Sequence, residues 1–314
     1  MNAIQSPVTR PIPAWFTRAL AAPRESRYIE VAGCSIHYLR WGDPSRPGMI
    51  LIAGSGGHAH WFSHVAPMLA DQFNVVAIDS GGNGDSGHRE AYSMDLVIEE
   101  IMAVCADAGM FAADIAPIVV GHSMGGQFAV RAAIARGEAM LGVIAVDALR
   151  YARLDKDPAY VAFAGGRPAS RPRRYYPDEA SIVARFRFNP PPEVDIEGTY
   201  VVEHIARNAV RQTPEGWTWK YDDNFGSVMG IGLELKDALA GLRCRAAAIY
   251  GETSHLSDET VIESMERITN GRVPVFVIPG TSHYCMIDNP LAFVAAIRGV
   301  AVTWVAEARA VRDP

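Results

Sequence analysis

Apolar residues run almost without interruption over six short stretches, at about 48–53, 73–78, 116–120, 141–146, 246–250 and 273–278. Each is too short for a typical helix and too uniformly apolar for a strand with one wet face, which leaves strands covered on both sides. Longer stretches with helical spacing lie between them, at about 94–108, from Met124 to about Arg136, near 257–268 and from Pro290 to about Ala310. This alternation predicts an α/β fold, a mostly parallel sheet with helices on both faces. Ahead of it, 28–32 and 35–41 are β-rich runs separated by Gly33-Cys34, which reads as a hairpin.

The rhythm breaks between 149 and 239, where prolines, arginines and aromatics replace it. The simplest account is one core, residues 26–148 plus 240–314, carrying residues 149–239 as an inserted cap. Residues 1–25 form a proline- and alanine-rich arm expected to pack on the surface.

Composition narrows the partners. With 49% hydrophobic and 20% charged residues the chain has the make-up of an ordinary globular protein. A formal charge of −6 argues against nucleic acid or an anionic membrane as partner. No apolar run stands out as long enough to cross a bilayer, and the N-terminus lacks a continuous apolar leader core, so a cytoplasmic location is expected. Cys34, Cys105, Cys244 and Cys285 have no Cys-x-x-Cys spacing and read as reduced thiols. No metal or cofactor is expected. The oligomeric state, a homodimer included, stays open.

The chemistry centres on Gly121-His122-Ser123-Met124-Gly125, which follows the apolar run 116–120 and opens a helical pattern. A buried strand running into Gly-x-Ser-x-Gly and then a helix is the sequence form of a nucleophile elbow. The turn projects the serine oxygen outward, and the helix start offers unpaired N–H groups to a developing oxyanion. Met124 N–H is one candidate donor, and the loop Gly54-Ser55-Gly56 after the 48–53 strand supplies another. His122 is expected to line or support the site.

A serine nucleophile needs a base and a group that orients the base. His283, in Pro279-Gly280-Thr281-Ser282-His283 after the 273–278 strand, lies on the edge of the sheet that Ser123 shares. The other histidines compete poorly: His58, His60 and His64 lack metal-site spacing, and His88 and His204 show no partner in the sequence. The orienting acid is Asp147 or Glu252. Asp147 is preferred, because a carboxylate at the tip of an apolar strand is costly to bury unless paired.

These features together resemble the α/β-hydrolase superfamily from about residue 28 to 310. The matching pieces are the elbow, the Ala53–Gly57 loop, Asp79 through Gly87, and Pro279 to Pro290 around the histidine. The resemblance implies an eight-stranded, mostly parallel sheet. In most members the acid follows the penultimate strand, where Ser254 and His255 stand here. An acid at the position of Asp147 is similar to a minority that includes the zearalenone-type lactone hydrolases. Haloalkane dehalogenases and epoxide hydrolases form their ester on a carboxylate, which Ser123 does not offer.

The expected activity is cofactor-free hydrolysis of a small-molecule carboxylic ester or lactone through an acyl-enzyme on Ser123. The aromatic content of the insert points to a hydrophobic or aromatic substrate, with Trp61, Trp217, Trp219, Tyr284 and His122 as candidate contacts. Other chemistries known on this fold are carbon-carbon bond hydrolysis and cofactor-independent dioxygenation. A ligand receptor that keeps its triad is the non-enzymatic alternative.

Overall fold

The structure is a computed structural model of the 314-residue chain. It describes residues 11–149, 173–189, 191–192, 199–225, 235–257 and 259–312. In chain order the main elements are α1 (Ala14–Ala21), β1 (Glu25–Val31), β2 (Cys34–Trp41), β3 (Gly48–Ile52), β4 (Asn74–Ile78), α2 (Met94–Asp107), β5 (Ile118–His122), α3 (Met124–Arg136) and β6 (Gly142–Val146). After β6 come α4 (Glu179–Val183), α5 (Thr199–Asn208), β7 (Val210–Thr213), β8 (Gly216–Trp219), α6 (Leu235–Ala240), β9 (Arg245–Gly251), α7 (Glu259–Thr269), β10 (Val275–Ile278), α8 (Cys285–Asp288) and α9 (Pro290–Arg312).

Eight strands form one sheet in the order β1-β2-β4-β3-β5-β6-β9-β10, in which only the pairings of β2 are antiparallel. Every residue of β3, β4, β5 and β6 is buried, as their apolar runs predict. Alternate side chains divide between the two faces. Met49, Leu51, Ile118 and Val120 join Phe16 of α1, Ile205 of α5 and Phe293 of α9 in one apolar layer. Ile50, Ile52 and Val119 join Ile101 of α2, Phe128 of α3 and Ala238 of α6 in the other.

The N-terminal arm, where described, is a mostly exposed helix that packs on the body through Phe16, buried against the rings of His64 and Tyr200. Two expectations change in three dimensions. Strand β10 is an edge strand, which leaves Phe276 and Val277 exposed despite their apolar run. Helix α9 is, by length and composition, apolar enough to cross a membrane, contrary to the sequence expectation. Its residues Phe293, Ile297 and Ala301 are fully buried in the protein core.

The segment between β6 and β9 is anchored to the core by polar contacts. Asp222 N–H donates to Gly82 C=O at 2.7 Å, the Tyr92 hydroxyl donates to the Asp222 carboxylate at 2.7 Å, and Lys220 Nζ lies 2.6 Å from Asp85. Ala238 of helix α6 lies in the core layer.

Candidate active site

Strands β3, β5, β6, β9 and β10 end side by side, with Ile52 opposite Gly121, His122 opposite Val146, Val146 opposite Ile249 and Gly251 opposite Ile278. Parallel order therefore delivers the residues after each strand to one edge, where ligands of open α/β sheets bind.

Ser123 stands between β5 and α3 with φ 54° and ψ −122°, a conformation that L residues rarely adopt. Its N–H donates to Val146 C=O at 2.9 Å, and its C=O accepts from Gly126 N–H at 2.9 Å. The flanking glycines make the turn possible. A Cβ at Gly121 would lie 2.1 Å from Gly125 O, and one at Gly125 would lie 2.4 Å from Ile52 O and Ala53 O. Met124 N–H, at the first position of α3, has no acceptor within the helix. The Gly54-Ser55-Gly56 turn is closed by the Gly57 N–H bond to Gly54 C=O at 2.9 Å. A Cβ on Gly54 would come within 3.0 Å of Ser123 Cβ, so this loop runs beside the nucleophile candidate.

The structure brings Ser123, His283 and Asp147 together. His283 Nε2 lies 2.9 Å from Ser123 Oγ, and His283 Nδ1 lies 2.9 Å from Asp147 Oδ1. Asp147 is fully buried and also sits at positive φ, 47°. Its carboxylate is well supplied with donors, since Oδ2 accepts from Gly251 N–H at 2.8 Å and Oδ1 from Ser254 Oγ at 2.6 Å. Glu252, the second choice, accepts from Gly280 N–H at 2.8 Å and is exposed. The histidine loop is pinned by Asp288, whose Oδ2 accepts from Ser282 N–H at 2.7 Å and Ser282 Oγ at 2.6 Å.

His122 is 1% exposed, and its Nε2–H donates to His283 C=O at 2.8 Å. Burial, and to a lesser degree His283, hold its pKa well below the usual imidazole range, so the ring is neutral. Through that bond it supports the His283 loop. Trp61 and Tyr284 are also buried, with ring centroids 6.0 Å apart and Phe188 5.6 Å and 4.6 Å from them. Phe188 belongs to the inserted segment, and Trp219 reaches it through Phe186, with centroid distances of 6.2 and 5.1 Å. Trp217 lies on the same hairpin, and its backbone bridges to Tyr176. Arg173, also in the inserted segment, donates to the carbonyls of Trp219 and Tyr221.

Burial and the Asp147 charge push up both the Tyr250 hydroxyl and the Cys285 thiol, so neither ionises near neutrality. His204 and His88, without visible partners in the sequence, acquire them through folding: Ser63 Oγ at 2.7 Å for the first, Lys220 C=O at 3.2 Å for the second. Two neighbours escaped sequence reasoning as site residues. Ser254 holds Asp147, and the His255 ring lies 5.1 Å from that of His283. The one available signal was their position just after β9. Among the described residues, His37, Asp79 and Asp85 form the one trio spaced closely enough for a cation. Their atoms engage the chain itself: Asp79 Oδ2 lies 2.7 Å from His37 Nδ1 and Oδ1 accepts from Ala59 N–H, while Asp85 faces Lys220.

A sheet of this topology, with a serine elbow and an acid-histidine pair at its carboxyl edge, defines a class of hydrolytic fold. The chain belongs to the Alpha/beta hydrolase family, whose profile matches residues 49–297. It is 26% identical to epoxide hydrolase 4 of Mus musculus over 122 residues, 38% of this chain but only 33% of that protein. Thus the chain spans about a third of that relative's length. Its similarity to the 2-(acetamidomethylene)succinate hydrolase of Mesorhizobium japonicum is more extended, 22% identity over 283 residues, or 87% of this chain and 93% of that one. Among solved structures, the thioesterase domain from the curacin biosynthetic pathway superposes with a TM-score of 0.71 at 22% identity, covering 89% of this chain and 99% of that one.

Proposed function

We propose that this hydrolase works by serine acyl transfer on a carboxylic ester or lactone. The carrying observation is the continuous chain Ser123 Oγ, His283 Nε2, His283 Nδ1, Asp147 Oδ1, with 2.9 Å at each step between residues. His283 takes the Ser123 proton as the oxygen attacks the acyl carbonyl, and returns it to the leaving group. Met124 N–H and the Gly54–Gly56 loop stabilise the oxyanion. Water, activated by the same imidazole, then releases the acid. Similarity to an epoxide hydrolase does not alter this reading, because the elbow residue is a hydroxyl and not a carboxylate. The aromatic run Trp219, Phe186, Phe188, Tyr284 supports a hydrophobic acyl or alcohol group, with the inserted segment acting as a cap.

The test is labelling by a fluorophosphonate together with turnover of nitrophenyl esters and lactones of several sizes. The intact protein should label at Ser123 and hydrolyse at least one of them. Ser123→Ala should lose labelling and several orders of magnitude in kcat. Full activity in that variant would overturn the proposal. A second reading, hydrolysis of an acyl group on nitrogen, is favoured by the relative named for an acetamido-substituted succinate. Amides in the same screen decide between the two.

A further inference from the structure

Beneath the three aligned side chains lies a fourth group that the serine mechanism does not require. Ser254 is buried, in the turn that follows β9, and its Oγ donates to Asp147 Oδ1 at 2.6 Å. The same oxygen accepts from Leu256 N–H at 3.1 Å, which leaves the hydroxyl proton to the carboxylate. Around it the turn is tied to the histidine loop, since Thr253 N–H and Thr253 Oγ1 both donate to Thr281 C=O at 3.0 Å. Gly251 N–H, at the end of β9, holds the other carboxylate oxygen at 2.8 Å. One stretch of four residues thus grips the acid and the strand-end loop carrying the base.

We infer that Ser254 is a positioning residue of the proposed triad: its hydroxyl fixes the Asp147 carboxylate in the orientation that faces His283 Nδ1. Asp147 Oδ1 takes both the His283 and the Ser254 bonds, so the plane of the carboxylate is set from two directions. Asp147 itself sits in a left-handed backbone conformation at φ 47°, which does not by itself dictate its χ angles. Without the hydroxyl, the carboxylate keeps only the His283 bond on Oδ1 and the Gly251 N–H bond on Oδ2, and its plane is less tightly set against the imidazole. This inference rests on the serine-hydrolase reading for its kinetic consequence but not for its structural one.

The experiment therefore has two arms, both on the full chain. In the first, Ser254→Ala and Ser254→Thr are compared on the best ester substrate, with active sites counted by fluorophosphonate. Ser254→Ala should lose about ten- to a hundredfold in kcat with KM unchanged, the scale of one hydrogen bond to a charged group, and Ser254→Thr should recover most of it. Unchanged kcat in Ser254→Ala, or equal impairment in both variants, would overturn the inference. In the second arm the far-downfield proton NMR signal of His283 Nδ1–H, assigned by its loss in His283→Gln, is followed without substrate. It should shift or broaden in Ser254→Ala and stay near its original position in Ser254→Thr; no change in Ser254→Ala sinks the inference. If no ester is hydrolysed, the serine-hydrolase reading fails while this second arm still decides the role of Ser254.

Discussion

Asp147 Oδ1 lies 2.9 Å from His283 Nδ1, although 136 positions separate the two residues in the chain. Glu252, far nearer to His283 in sequence, instead accepts the Gly280 N–H. Asp147→Asn should therefore lower kcat by about three to four orders of magnitude, through loss of the tautomer-fixing charge. Glu252→Gln should stay within about threefold of the parent. Steady-state kinetics on one ester compares them; inactivity confined to the Glu252 variant would reverse the assignment.

His122 presents a second, quieter dependence. Its Nε2–H is the donor to His283 C=O, and its ring is neutral and buried. His122→Ala leaves that carbonyl unpaired and opens a void, so thermal unfolding should show a loss of about 2 kcal/mol or more. Glutamine can supply an N–H in its place, and His122→Gln should recover part of the activity. Equal, undiminished turnover in both variants would show that the His283 loop holds without this support.

Acid should weaken the fold through buried histidines. Burial lowers the pKa of His64 to about 4, and its Nε2–H donates to Met286 C=O at 2.8 Å. Burial, and after it the Arg24 charge, likewise lower His204 to about 4. The unfolded chain then binds more protons than the native one below about pH 6.5, so stability rises with pH through the window between about 4 and 6.5. Each such group contributes a slope approaching 1.4 kcal/mol per pH unit within it. Urea unfolding at pH 7 and pH 5 should show the loss, and His64→Gln should flatten it.

Phe188 connects the inserted segment to the site, 4.6 Å from the Tyr284 ring and 5.6 Å from Trp61. Phe188→Ala should alter the ratio of kcat/KM between aryl and short-chain acyl esters by about tenfold, with the fold retained. A parallel fall for every ester would instead assign Phe188 to packing alone.

Much of the molecule was written in one dimension. The uninterrupted apolar runs determined strands buried on both faces, hence a mostly parallel sheet, and the Gly121–Gly125 pattern marked the tight strand-to-helix turn that carries Ser123, where a Cβ on Gly125 would strike Ile52 O. The loop position of His283 followed from the strand before it. What sequence spacing did not carry was the exposure of Phe276 and Val277, which depends on β10 being last in the sheet. Nor did it carry the partners of His204 and His88, which come from segments more than a hundred residues away. The sequence preferred Asp147 to Glu252 without showing which lies beside His283; the structure puts the Asp147 carboxylate there. Both carboxylates follow strand ends on the same edge, and only the packing of β6 beside β9 turns one toward the imidazole and the other toward a loop N–H.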